Sequence, residues 1–235
     1  MMELSKRLRA VADLVTPGMR LADVGTDHGY VPIYLVERKL VPSAIAMDVN
    51  EGPLNRAREN IREHGLEEWI STRLSDGLTN LKIEETDSVI AAGMGGGLVI
   101  RILSDQKEKA ERLREIILQP QSGIAKVRKY LNENGWQIVE EDMVLEDGKY
   151  YPMMKAVRGE EEPYSEAELE FGKLLLHKKH PVLKCYLERE RRIAQNILAG
   201  LERQNQERIR ERREELLHRI EEIERLLREY FGEAF

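Results

Sequence analysis

The chain has a single cysteine, Cys185, among its 235 residues. One thiol cannot close an internal disulfide, and it cannot build a zinc site with other cysteines. No apolar run approaches the ~20 residues that a membrane span needs. The first residues, MMELSKRLRAVADL, mix acids and bases in an amphipathic pattern and lack the apolar core of a signal peptide. A reducing cytoplasm is the expected setting, with no membrane partner. There is no excess of base either, since the formal net charge is -6. That weighs mildly against nucleic acid, because nonspecific binding rests on neutralising phosphates. It does not exclude it, because an acidic protein can carry a basic face. What is present is 41% hydrophobic and 34% charged. This is the composition of a soluble globular chain, long enough for one large domain and a small appendage.

Short apolar runs alternate with helical patterns. Residues 4–15, LSKRLRAVADLV, put Leu4, Leu8, Val11 and Val15 on one helical face, and Pro17-Gly18 ends that helix. Strands are expected at 20–24 (RLADV), 43–49 (SAIAMDV), 70–75 (ISTRLS), 86–93 (TDSVIAAG) and 114–120 (REIILQP). Helices are expected between them at 31–38, 53–64, 96–103 and 124–134. Such alternation means a parallel sheet covered on both faces. Then GWQIVEEDMVLEDGKYYPMMKAV holds two extended runs joined at Glu146-Asp147-Gly148-Lys149, a strong hairpin signal. An antiparallel pair after a parallel sheet departs from the dinucleotide fold. It resembles the end of the α/β class I (Rossmann-like) methyltransferase sheet.

After RGEEEP (158–163) the composition shifts toward helix. Tyr164 to Lys178 is expected as one helix, and Pro181 permits a restart. Leu183, Leu187, Glu190, Ala194, Ile197 and Leu201 alternate steps of four and three, as do Ile209, Arg213, Leu216, Ile220, Ile223, Leu227 and Tyr230. This is a heptad pattern with charged flanks. The gap between Leu201 and Ile209 breaks the register. A turn near Gln204-Asn205-Gln206 would make an antiparallel coiled-coil hairpin with both stripes buried within one chain. One long dimerising helix is the alternative, and a monomer is favoured. The domains expected are residues 1–160 and a helical, coiled-coil domain at 161–235.

The chemistry concentrates in LADVGTDHGYVP, residues 21–32. A pyrophosphate loop reads G-x-G-x-x-G at a helix N-terminus. Here Asp23, Gly25, Asp27 and Gly29 replace that pattern, and Asp27 would repel a pyrophosphate. S-adenosyl-L-methionine has no phosphate, and its methionine end carries an ammonium and a sulfonium that favour carboxylates. Gly25 and Gly29 let the backbone approach, while Asp23 or Asp27 meets the amino acid end directly or through water. Asp48 ends the second strand, where an acid accepts from ribose hydroxyls. Asp76 ends the third, where a carboxylate can accept from the adenine amino group, and Gly77 leaves room for the ring. Any one of these acids could be a helix cap. Three at successive strand ends all face the crevice where open α/β sheets bind ligands.

The fourth strand ends in Ala91-Ala92-Gly93-Met94-Gly95-Gly96-Gly97, which carries no side-chain hydrogen-bonding group. Enzymes that methylate an exocyclic amine often place an Asp/Asn-Pro-Pro-aromatic segment at this point to grip the amine. A ring nitrogen needs less help, because its lone pair is already available, and alignment supplies much of the rate.

ADVGTDHGYVP, SDGL, AGMGGG and ILQPQS, followed by a KYYPM hairpin and a helical tail, resemble the bacterial tRNA (adenine-N1)-methyltransferases of the TrmK family, which act on position 22. The resemblance implies S-adenosyl-L-methionine as donor, tRNA as substrate and N1-methyladenosine as product. It implies a donor pocket of Asp23, Gly25, Asp27, Gly29, Asp48, Asp76, Gly77 and Gly93. His28 and Tyr30 could face the base, with Tyr30 stacking on it, or His28 could cap a helix or pair with Asp27. Gly93, Met94 and Gln121 complete the candidate catalytic set, with Gln121 placed to hydrogen-bond a base edge. The base must leave its stack, since N1 lies on the Watson–Crick edge.

Candidate RNA contacts are Lys6, Arg7, Lys149, Tyr150, Lys178 and Arg192. Tyr151 could belong to the core instead, and much of the tail's charge could be a solvated helical face. His177 and His180 lack a third ligand nearby, so no metal is expected. Cys185 is a bystander, because the nucleophile is the substrate's own nitrogen. The rival readings are a methyltransferase for another RNA or a small molecule, and a non-catalytic donor-binding interaction module.

Overall fold

The computed structural model describes residues 2–201 and 207–233. They form two compact units that divide after Gly172. The first unit opens with α1 (Lys6–Asp13), whose N-terminus is capped by the Ser5 hydroxyl accepting from Leu8 N at 3.3 Å. Next come β1 (Leu21–Val24), α2 (Tyr30–Glu37), β2 (Ala44–Asp48), α3 (Glu51–Glu63), β3 (Ile70–Leu74) and β4 (Ser88–Met94). Then α4 (Gly96–Asp105), α5 (Lys107–Arg112), β5 (Glu115–Pro120), α6 (Ile124–Glu133), β6 (Trp136–Glu146) and β7 (Lys149–Arg158) complete the core.

The seven strands make one sheet in the order β3-β2-β1-β4-β5-β7-β6. The pairs from β3 through β5 are parallel, and β7 lies antiparallel between β5 and β6. Every residue of β1 and β5 is buried, as expected for strands covered on both faces. α2 is apolar nearly all round and buried from Val31 to Val36, so it sits inside the fold rather than on its surface. The β6–β7 hairpin turns on Asp147 (φ 49°) and Gly148 (φ 73°), with Glu146 opposite Lys149. Two left-handed residues in a two-residue loop make a type I′ turn, whose twist matches the strands.

Two expectations about this unit change. α5 carries one buried residue, Ala110, in the sequence KEKAER, too little apolar pattern to announce a helix. The helix expected over 164–178 starts at Glu166 and contains a π-helical turn, Glu168–Gly172. That turn is held by a buried ion pair. Arg128 Nε donates to Glu141 Oε1 at 2.8 Å, both side chains being 1% exposed, while Arg128 Nη1 donates to the carbonyls of Leu169 and Glu170 at 2.8 and 2.9 Å. Carbonyls released from the α-helical ladder thus find a cationic donor.

The second unit consists of α7 (Lys173–His177), α8 (Pro181–Leu201) and α9 (Glu207–Phe231). Pro181 stands first in α8, where a missing N–H costs nothing. α8 and α9 pair antiparallel: Lys184 near the start of α8 meets Glu233 beyond the end of α9 at 2.8 Å, and Ala194 packs on Leu216 and Ile220. The expected stripe holds at Leu183, Leu187 and Ala194 and at Leu216, Ile220, Ile223 and Leu227, all buried. It departs at Ile197, which is exposed, while Leu198 and Leu201 pack on the small cluster instead. Arg213 is also exposed. The turn expected near Gln204-Asn205-Gln206 lies outside the described residues. Among the described residues no helix is long and apolar enough to cross a membrane.

Candidate active site at the carboxyl ends of the strands

The order β3-β2-β1-β4-β5 places a topological switch between β1 and β4. From β1 the chain winds one way to β2 and β3, then crosses back, and ligands bind in the crevice such a reversal leaves. The β1 end is anchored there by the amides of Gly25 and Thr26, which donate to Met47 O on β2 at 2.8 and 2.9 Å. Gly25 is left-handed (φ 74°), and a Cβ on it would stand 2.8 Å from Met94 Cε at the end of β4. The positive φ demands glycine, while the mobile end of Met94 could yield to a methyl. His28 is itself left-handed (φ 64°), and Asn60 Nδ2 of α3 donates to its carbonyl at 2.8 Å.

A pocket of about 300 Å³ opens at this switch point, lined by Asp23, Gly25, Asp27, Tyr30, Gly93 and Gln121. Arg7 and Leu8 of α1 also face it, with Val31 and Ala92. Asp23 is buried, and burial pushes its carboxyl up to about 6; the nearby Thr26 hydroxyl opposes the rise and the Asp48 charge adds to it. The Thr26 Oγ1 is buried yet closes no hydrogen bond of ordinary geometry. Proximity of the hydroxyl therefore favours the charged form without neutralising the cost of burial. Asp27 is exposed, 2.9 Å from Arg56 Nη2 and 3.4 Å from His28 Nε2. The His28 and Tyr30 rings stack with centroids 5.0 Å apart and planes 12° off parallel.

The other sequence candidates stand around this pocket rather than in its lining. The Asp48 carboxylate accepts from Asn50 N at 2.8 Å, at the end of β2. Asp76, past the end of β3, is exposed and pairs with Arg101 at 3.1 Å. Gly77 (φ 55°) lies against Ile102, and Gly29 lies against Ala57 where α2 meets α3. Met94 lies behind the lining, its Cε beside Gly25. Part of AGMGGG serves packing alone, because a Cβ on Gly96 would meet Ser122 O at 2.4 Å.

Arg7 is the residue whose place the linear sequence concealed. It was expected on an RNA-contacting surface; the fold sets it in the pocket wall. Its Nη1 donates to Gln119 Oε1 at 2.9 Å, Glu146 Oε1 accepts from its backbone N at 3.2 Å, and its guanidinium lies 5.5 Å from the Tyr151 ring centroid. Tyr151 is half-buried and packs on the core. Gln119 is fully buried and went unnoticed in the sequence, since nothing in ILQPQS distinguishes it from its neighbours. Of the remaining basic candidates, Lys6 Nζ donates to Leu145 O at 3.4 Å near the hairpin turn, Lys149 is exposed at that turn and Tyr150 is half-buried. Lys178 and Arg192 are exposed in the second unit.

A larger pocket, about 490 Å³ and mainly apolar, lies at the opposite ends of β1, β2 and β3 beside Leu40, Leu66 and Trp69. None of the acids at the carboxyl ends faces it, so the chemistry belongs to the smaller one. Among the described residues no group of three or more His, Cys, Asp and Glu could hold a metal ion.

Comparison with known proteins agrees with this geometry. A family model for a methyltransferase domain matches residues 4–154. The tRNA (adenine(22)-N(1))-methyltransferase of Bacillus subtilis is 35% identical over 175 residues, covering 74% of each chain. The chain belongs to the TrmK family of tRNA (m1A22) methyltransferases. The solved structure of B. subtilis TrmK superposes with a TM-score of 0.83 at 30% identity, covering 97% of this chain and 100% of that one. Streptococcus pneumoniae Sp1610, solved in complex with S-adenosyl-L-methionine, does so with a TM-score of 0.86 at 35% identity, covering 96% and 100%. The TrmK resemblance therefore extends through the helical tail as well as the sheet, and the fold is the Rossmann-like methyltransferase fold.

Proposed function

We propose that this chain transfers a methyl group from S-adenosyl-L-methionine to N1 of the adenine at tRNA position 22. The observation that carries the reading is Asp23, a buried carboxylate whose charge the protein leaves largely uncompensated, facing a pocket at the β1/β4 switch point. Such a group fits a cationic ligand without phosphates. The relatives support it: one carries this activity in its name, and another was solved with this donor.

S-adenosyl-L-methionine, when bound, supplies a methyl on a positively charged sulfur, which adenine N1 accepts through its ring lone pair. The chain's own work is holding and alignment. Asp23 and Asp27 would hold the ammonium, Gly25 would admit the backbone close to it while Gly29 lets α2 pack on Ala57 of α3, Asp48 would take the ribose hydroxyls, and Asp76 beside Gly77 would take the adenine. Tyr30, stacked on His28 at the pocket wall, receives the face of the target base, and Gln121 meets its edge. Gly93 and Met94 bound the space between donor and base. The methylated base is born cationic, and the Asp23 and Asp27 carboxylates favour that charge. Lys6, Lys149, Tyr150, Lys178 and Arg192 contact the tRNA. The enzyme works in the cytoplasm as a monomer, with α8 and α9 as an antiparallel coiled coil.

The test is to incubate the protein with unmodified tRNA transcript and labelled donor, then map the methylated nucleotide by mass spectrometry. A single N1-methyladenosine at position 22 is expected, lost when that adenine is replaced. Label entering rRNA or a small molecule in preference to tRNA, or entering no acceptor at all, would refute the reading.

A further inference from the structure

The β6–β7 hairpin outruns its neighbour in the sheet. β7 pairs with β5 from Met154 to Val157, whereas its pairing with β6 continues to Lys149 at the turn. β5 is last partnered at Leu118 and ends at Pro120. The turn end of the hairpin, residues 144–151, therefore reaches roughly 10 Å past β5, at ~3.4 Å per residue. It does so on the side where the pocket opens, because β7 runs antiparallel to β5. We propose that Leu145 and Tyr150, at this end, form a wedge that enters the tRNA stack where the target adenine has left it. This rests on the function proposed above and deepens it. An adenine methylated at N1 must be extruded, and the gap it leaves closes again unless an apolar group fills it.

Leu145 stands directly opposite Tyr150 across the two strands, so the side chains share one face. Leu145 is 39% exposed, an apolar group that the core does not take up. Tyr150, half-buried, adds a flat ring on which a base can stack. The surroundings suit RNA. Lys6 Nζ donates to Leu145 O at 3.4 Å, and Lys149 is exposed at the turn. Val49 and Leu74 are also exposed at strand ends, but beside Asp48 and Asp76, whose charges repel a phosphate backbone. A wedge must be rigid, and this one is braced from its other face. Val144 is buried in the same core cluster as Val11 and Met153, with Tyr151 packed against it. The two-residue turn leaves no slack. Reach is set by Arg7. Its side chain lines the pocket, while its backbone N donates to Glu146 Oε1 at 3.2 Å, next to Leu145. One residue of α1 thus spans from the pocket to the hairpin end.

The test uses the full-length protein and two tRNAs. One is intact; the other is abasic at the nucleotide next to position 22, so its adenine leaves the stack at lower cost. Single-turnover rates at saturating tRNA and donor are compared for wild type, L145A/Y150A and L145M/Y150F. The tRNA KM and the donor affinity by calorimetry are measured alongside. On intact tRNA the alanine variant should lose roughly ten- to a hundredfold in rate, the scale of one unstacked step, with tRNA KM changed by less than about threefold. Most of that loss should disappear on the abasic tRNA. L145M/Y150F should recover most of it on intact tRNA, because bulk and ring are restored. Donor affinity should stay at the wild-type value throughout. A wild-type rate for L145A/Y150A overturns the wedge. So does a raised tRNA KM with the rate intact, which marks an ordinary surface contact. So does an equal loss on both tRNAs, or a loss of donor affinity, either of which marks a support for the fold. Wild-type protein that methylates neither tRNA brings down the function proposed above.

Discussion

Asp23 is a liability to the free protein and an asset to the complex. Burial raises its pKa from 3.8 to about 6, so between these values the native state holds a proton that the unfolded state has released. Stability from this group is therefore lost as pH rises from about 4 to about 6, and at pH 7 the cost is on the order of 3 kcal/mol. We expect D23N without ligand to be more stable than wild type at pH 7 in urea denaturation, with the gap closing at pH 4. A gap unchanged by pH would show that Asp23 is not the titrating group. Gly25 gives a second expectation: G25A forces φ 74° on alanine and pushes the end of the Met94 side chain aside, toward the pocket. It should cost roughly 1–3 kcal/mol and weaken donor binding more than tenfold, read by thermal melts and calorimetry. Asp23, Gly25, Asp27, Tyr30, Gly93 and Gln121 were legible in the sequence, because each lies at or shortly after the carboxyl end of a recognisable strand. Arg7 was legible only as a base, because the contact that gives it meaning spans 112 residues to Gln119.

At the scale of elements, local signals were read where geometry is local. Asp147-Gly148 named its own turn, and the five parallel strands announced themselves as short runs bounded by turn residues, buried except at the edge strand β3. The π-helical turn at 168–172 was not readable, because its cause is Arg128 on α6 and Glu141 on β6. Likewise Ile197 fits the heptad as well as Leu198 does, and only the packing around Ala194 chooses between them. The buried pair yields an asymmetric expectation. R128M takes the cation away from a buried carboxylate and should cost about 3–5 kcal/mol, whereas replacing both partners with apolar residues should cost far less. Equal losses in chemical denaturation for the single and double variants would contradict this.

At the scale of the whole molecule, strand order decides where ligands go, and alternation of strands and helices was enough to predict a parallel sheet. Net charge was a poor guide. The formal -6 averages an acidic pocket with basic residues placed elsewhere, and a tRNA partner responds to the placement. If Lys149 and Arg192 meet phosphates, K149E and R192E should each raise the tRNA KM severalfold, leave donor affinity alone and flatten the salt dependence by about one counterion each. A salt slope equal to that of wild type would remove them from the interface.

The central claim is that an ionised, buried carboxylate receives a cationic donor. It is tested most directly by calorimetry of S-adenosyl-L-methionine binding to the wild-type protein from pH 5 to 7.5. Asp23, with its pKa raised to about 6, should give an affinity that falls nearly tenfold per pH unit below 6, with about one proton released on binding, and levels off above it. Affinity independent of pH across that range, or tighter binding in acid, would contradict the account.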